Sequence, residues 1–219
     1  MTRHTFEGFI AGMGTAEGTR LVVGHWPTSP LGSFTDVMVE RPDGQRLLLA
    51  PSMEVAEFVT ATYSFDDVVL TPVTCDIAGA PTIGPAQTWT VEAGPLRLAF
   101  TTGSRTGLGW LLRAIPRPIA TAPAFCRFTD LPARVVGLRT AGTAGHGRRE
   151  YYGAHDVHDL TSLVASWTGT DLGDLRPVTP PVRFGFGSTP ARPSVTSVVT
   201  TVDTPDIPDT PGAPSTPAA

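Results

Sequence analysis

Short runs of alternating apolar and polar residues, each closed by glycine or proline, set the main limit on what this chain can fold into. Its 219 residues include 23 Gly and 22 Pro, about a fifth of the chain against an average share of roughly 12%. Breakers at that density exclude long helices, because proline removes a backbone donor and glycine weakens a helix interior. What remains is a series of four- to nine-residue stretches of the length and period of β-strands. The pattern predicts strands at Thr5–Gly12, Arg20–Trp26, Phe34–Glu40, Arg46–Leu49, Asp67–Pro72, Thr88–Ala93, Leu96–Thr101, Arg134–Leu138, Glu150–Ala154, Val182–Phe186 and Ser194–Val202.

Three short segments have helical spacing instead. Ser52 is placed to cap a helix through Ala61, with Val55, Phe58 and Val59 on one face. Leu108, Leu111, Leu112 and Ile115 follow the i, i+3, i+4, i+7 rule until Pro116. Leu160, Leu163, Val164 and Trp167 repeat that rule before Gly169. Strands that do not alternate regularly with helices argue against a doubly wound sheet. The expected fold is mainly β (α+β): an antiparallel, closed or partly closed β-barrel with about three short peripheral helices. It would form one domain over residues 1–203. Residues 204–219 carry a proline every third position and Ile207 as their one large apolar side chain. That composition cannot offset its ordering entropy, so a disordered, extended tail is expected.

All 16 basic residues are arginine; the chain has no lysine. Schiff-base catalysis, pyridoxal phosphate attachment and a phosphate-binding P-loop are therefore excluded, because each needs a lysine amine. The net charge of -4 argues against nucleic acid as a partner. No apolar run reaches the roughly 18 residues that a membrane helix needs, so no membrane partner is expected. Cys75 and Cys126 give neither a metal pattern nor a disulfide framework, which points to a reduced, cytoplasmic protein. A small-molecule ligand is the expected partner, no cofactor is implied, and self-association stays open.

The candidate site residues follow from polar groups in apolar places. Asp36 stands in Phe34–Val39, a run that otherwise reads as a core strand. A carboxylate there needs a polar partner or a pocket, or else it faces outward from an edge strand. The glycine-rich stretch from Thr140 to Glu150 is flanked by Arg139 and contains Arg148 and Arg149. Its amides and guanidiniums could hold an anion. In the strand that follows, Arg149 and Tyr151 share one face and Glu150 and Tyr152 the other; one of those pairs must face inward. Arg183 shares its strand face with Gly185 and Gly187, which leaves room for a ligand beside it. The predicted ligand-binding set is Arg139, Arg148, Arg149, Tyr151 and Arg183, with Asp36 as the catalytic carboxylate. His146, His155 and His158 are not taken as a metal site, because Asp156 and Asp159 suit the N-cap and first turn of the predicted helix. Gly12, Gly14 and Gly18 belong to a hairpin with its tip at Ala16–Gly18, not to a dinucleotide fingerprint, since a strand follows where a helix is required.

The run Ser29-Pro30-Leu31-Gly32-Ser33-Phe34-Thr35-Asp36 resembles the Ser-Pro-x-Gly-Pro-Tyr-x-Glu run of acetoacetate decarboxylase-like proteins. The Ala144–Gly153 and Pro180–Ser188 runs are similar to those of a family of high-GC bacterial proteins. The first resemblance implies a β-barrel around a small-molecule pocket, with Asp36 where the family has Glu. The family's decarboxylase chemistry runs through an imine on a lysine, which this chain lacks. The expectation is therefore a barrel that binds a small organic acid or keto compound. A lyase or isomerase using Asp36 as base is one alternative, and a protein-interaction scaffold with a Pro-rich tail is another.

Overall fold

The computed structural model describes residues 2–79, 83–116, 141–143, 149–185 and 189–204. Ten strands form one continuous sheet in the order β5-β4-β3-β2-β1-β13-β10-β8-β7-β6. In chain order these are β1 (Thr2–Thr15), β2 (Arg20–Thr28), β3 (Phe34–Glu40), β4 (Arg46–Ala50), β5 (Asp67–Leu70), β6 (Val73–Ile77), β7 (Thr88–Ala93), β8 (Leu96–Arg105), β10 (Arg149–Trp167) and β13 (Ser194–Thr204). Three short strands join at the margins: β9 (Ala141–Thr143) and β11 (Thr170–Asp171) pair with β10, and β12 (Leu175–Arg176) pairs with β1. The hairpin between β1 and β2 turns at Ala16–Gly18, where Gly18 takes a φ of 88°.

The fold is mainly β, as expected, but the sheet is a strongly curled, open half-barrel and not a closed one. The short strands β5 and β6 end the path without pairing to each other. The predicted all-antiparallel pattern also has an exception, since β4 and β5 run parallel. A parallel return needs a crossover connection, and here the helix α1 (Met53–Thr60) supplies it. Ser52 caps α1 through its side chain, and Val55, Ala56 and Val59 are its buried stripe.

A second helix, α2 (Gly107–Arg113), is capped by the Thr106 hydroxyl. The predicted third helix is absent: Leu160–Trp167 is the end of β10. Register shifts lie between His158 and Leu160 and again between Leu160 and Ser162. An extra residue at a bulge reverses which side chains face inward. Leu160 and Leu163 are thereby brought to one buried face, while Val164 is 73% exposed. The bulge thus reproduces the i, i+3 spacing of a helix inside a strand. The predicted helix-capping roles of Asp156 and Asp159 fall with it. Asp156 instead takes a two-pronged contact from Arg105, at 2.7 and 3.0 Å.

The two sheet faces carry separate cores. One face gathers Met13, Leu21, Val23, Val37 and Leu49 against Trp89, Val91, Leu98 and Phe100 from the other half of the curled sheet. The opposite face of β1–β4 and β13 carries Phe6, Phe34, Leu48 and Val202, covered by α1. A strap through Val178, Val182 and Phe184 packs onto the same face beside Val22 and Met38. The strap was predicted as the strand Val182–Phe186, but residues 181–185 have no ladder partner. Val182 and Phe184 still point inward, so the alternation was preserved without the pairing. The segment predicted as the strand Arg134–Leu138 lies outside the described residues, as do residues 205–219 of the predicted tail. Among the described residues no helix is long and apolar enough to cross a membrane.

Candidate functional site

Between the sheet, the C-terminal end of α1 and the strap lies a partly enclosed pocket. It is lined from β1, β2, β3, β10 and β13, from Phe58 to Tyr63, and from Val182 to Gly185. Most of its wall is apolar or aromatic, including Phe6, Trp26, Phe34, Met38, Phe58 and Phe184. Against that wall stand two carboxyls, Asp36 and Glu150, and two phenols, Tyr63 and Tyr152. The cavity measures about 70 Å³ as room for water centres. One water needs about 10–15 Å³ on that measure, so a few waters or one small organic molecule fit.

Asp36 reaches this place because β3 is held between β2 and β4. Alternation sends Val37 and Val39 to the main core and Asp36 and Met38 to the pocket. The edge-strand alternative for Asp36 is excluded by that central position. The side chain is 2% exposed. Its Oδ1 accepts a hydrogen bond from the Trp26 indole at 3.1 Å. Oδ2 is buried and has no hydrogen-bond partner among the described residues. Burial pushes the Asp36 carboxyl up to about 7, and the Trp26 hydrogen bond only partly opposes this. Gly24 lies opposite Asp36 in the β2–β3 ladder. A Cβ at Gly24 would stand 2.6 Å from both Asp36 Oδ1 and Trp26 Nε1. The missing side chain is what lets the indole and the carboxyl meet above the strand.

The second polar group comes from β10. Glu150 is 2% exposed and accepts a hydrogen bond from the Tyr63 hydroxyl at 2.8 Å. The Tyr63 and Tyr152 hydroxyls share a short hydrogen bond, and Tyr152 is also hydrogen-bonded to Glu150. Glu150 Oε2 is buried without a hydrogen-bond partner among the described residues. Burial raises the Glu150 carboxyl to about 7, against the lowering effect of the two tyrosines. Both phenols are held well above their ordinary value, first by burial and then by the neighbouring Glu150 carboxylate.

The strap that closes the pocket is fixed by a buried ion pair. Glu40, fully buried on β3, lies 3.2 Å from the Arg20 guanidinium, which is also buried. Arg20 donates to the Pro180 carbonyl at 3.0 Å. The Arg183 amide and its Nε both donate to Glu40, each at 2.8 Å. Desolvated charges are tolerated when paired and hydrogen-bonded in this way. The contact fastens the strap to the sheet at a point next to Val182 and Phe184.

The predicted residues are distributed as follows. Asp36 lines the pocket. Arg183 does not: its guanidinium is engaged by Glu40 and its side chain is 67% exposed. Tyr151 is buried, but the pocket is lined by Glu150 and Tyr152, the other pair on that strand. Arg149 belongs to β10. Arg139, Arg148 and His146 lie outside the described residues. His158 is buried with Nδ1 3.0 Å from the Gly103 carbonyl and Nε2 3.7 Å from Asp156, and neither His155 nor His158 lines this pocket.

Sequence reasoning missed Trp26, Tyr63 and Gly24. The signal for Trp26 and Gly24 was present in the β2–β3 hairpin, since pairing Trp26 with Phe34 puts Gly24 opposite Asp36. Tyr63, just beyond α1, could not be placed without knowing where that helix packs. Fold and site together define a curled β-sheet protein with a small carboxyl-bearing pocket on one face. Compared with known family models, with curated proteins and with solved structures, the chain matches none.

Proposed function

We propose that the protein binds a small, mainly apolar molecule in this pocket and orients it through Asp36 and the Glu150–Tyr63–Tyr152 chain. One observation carries the reading: an aromatic-walled cavity is lined by two buried carboxyls, each with an oxygen lacking a hydrogen-bond partner among the described residues. Buried polar atoms left unpaired cost about 1–3 kcal/mol each, so the folded chain bears a cost that a ligand's polar groups would relieve. Ligand sites of this kind join apolar walls to a few placed polar groups. The resemblance to acetoacetate decarboxylase-like proteins enters the proposal only as far as the Ser29–Asp36 run. That run leads into β3 and delivers a carboxyl to a pocket, while the imine chemistry has no lysine to run on.

A second reading has Asp36 as a general base for a keto compound, in a lyase or isomerase reaction without a Schiff base. The observation favouring it is the Asp36 carboxyl itself, raised to about 7 by burial. A base titrating near neutral pH combines a useful ionised fraction with real basicity. Both readings are tested by incubating the protein with small ketones, keto acids, alcohols and amines in heavy water. Thermal stabilisation without deuterium uptake supports binding alone. Uptake at the carbon next to the carbonyl, lost in Asp36→Asn, supports proton transfer. Neither effect with any compound would remove both readings.

A further inference from the structure

We infer that the pocket selects a small molecule bearing a positively charged nitrogen, a protonated amine or a quaternary ammonium, over neutral and anionic molecules of the same shape. This rests on the small-molecule reading above and adds the charge of the ligand. The first ground is a missing counter-charge. Asp36 and Glu150 both line the pocket, each is 2% exposed, and each has one buried carboxyl oxygen without a hydrogen-bond partner among the described residues. Among the described residues, no arginine or histidine lines it.

Four described guanidiniums on neighbouring elements already have acids of their own. Arg20 and Arg183 both contact Glu40, Arg46 contacts Asp66 and Arg3 contacts Asp203. A buried carboxylate is normally paired with a cation or neutralised. Here the chain supplies no cation to the pocket among its described residues, and the ligand can. An anionic ligand would meet two carboxyls and no opposing charge, which is unfavourable at short range.

The second ground is independent of the carboxyls. Trp26, Phe34, Phe58, Phe184, Tyr63 and Tyr152 all line the same space. Aromatic faces attract a cation through their quadrupole, most strongly where water is excluded. An apolar amine therefore places its hydrocarbon part on the aromatic wall and its nitrogen at Asp36 or Glu150. The hydrogen bonds it donates fill the positions now unmet at Oδ2 and Oε2.

The test is calorimetric titration of the intact protein with two matched sets: benzylamine, benzyl alcohol and benzoate, and the smaller isobutylamine, isobutanol and isobutyrate. The amine of at least one set is expected to bind at least about tenfold tighter than its alcohol, with the carboxylate weakest. Asp36→Asn and Glu150→Gln are expected to bring the amine-to-alcohol affinity ratio at least about threefold closer to one. Should either variant fail to fold, the comparison of probes on the unaltered protein still decides. An alcohol or a carboxylate binding as tightly as the amine overturns the charge preference and leaves the small-molecule reading standing. Failure of all six probes to bind overturns both.

Discussion

Replacing Asp36 by asparagine should make the protein more stable, and more so as the pH rises. The amide keeps an acceptor for the Trp26 indole, which now donates to Oδ1 at 3.1 Å, and removes the buried charge. The carboxyl lies at about 7 in the folded chain against an ordinary value of 3.8. The folded state therefore holds the proton over a range in which the unfolded chain has lost it. Stability from this group is complete below about pH 4 and is lost as the pH climbs to about 7. A gap of about three pH units corresponds to about 4 kcal/mol, an upper figure because relaxation and water entry lower the penalty of a buried charge. A gain of about 2 kcal/mol at pH 8 would raise the melting temperature by about 4–8 °C for a chain of this size. Near pH 4 the two proteins should melt within about 2 °C of each other. The assay is a pair of thermal melts at those two pH values. If Asp36→Asn melts lower than the unaltered protein at pH 8, or if the difference is the same at both pH values, the ionised carboxylate is not buried without a partner and the reasoning fails.

Other substitutions probe the parts around it. Gly24→Ala places a Cβ 2.6 Å from both Asp36 Oδ1 and Trp26 Nε1; it should destabilise by about 1–3 kcal/mol, read by denaturant unfolding, and should weaken ligand binding. Tyr63→Phe removes the donor to Glu150 and the hydroxyl that Tyr152 shares a hydrogen bond with, at an expected cost of about 1–3 kcal/mol. It should also raise the Glu150 carboxyl further, read by carbon-detected nuclear magnetic resonance titration. Glu40→Ala leaves the buried Arg20 without its carboxylate and releases Arg183. A loss of about 3–5 kcal/mol and faster proteolysis of the 177–185 strap are expected.

Much of the pocket was legible in the sequence because alternation is a local property. Asp36 was marked by its place between Phe34 and Met38, and the period of two that made it conspicuous also carried it to the pocket face. The Arg149–Tyr152 segment shows where that logic stops. Alternation gives the two pairs, Arg149 with Tyr151 and Glu150 with Tyr152, but which pair faces the cavity depends on how β10 seats against β13. The pair left out of the predicted binding set is the one that lines the pocket. The bulges in β10 caused the third helix to be predicted, because an inserted residue turns a period of two into a spacing of three. Closure of the barrel was not legible at all. It depends on whether the distant edges of β5 and β6 meet, and no run of residues encodes that contact. In the strap, the expected alternation is kept, with Val182 and Phe184 buried. Their pairing is not, since the Arg20–Glu40–Arg183 contact holds the segment in place of a ladder.

The space between Asp36 and Glu150 is proposed as a ligand site and not a gap in packing. A crystal structure of the protein soaked with a set of small amines, ketones and alcohols tests this most directly. One ordered molecule is expected in the pocket, with a polar atom within hydrogen-bond distance of Asp36 Oδ2 or Glu150 Oε2. A structure in which side chains fill that space, or in which every soaked compound sits elsewhere, would contradict it.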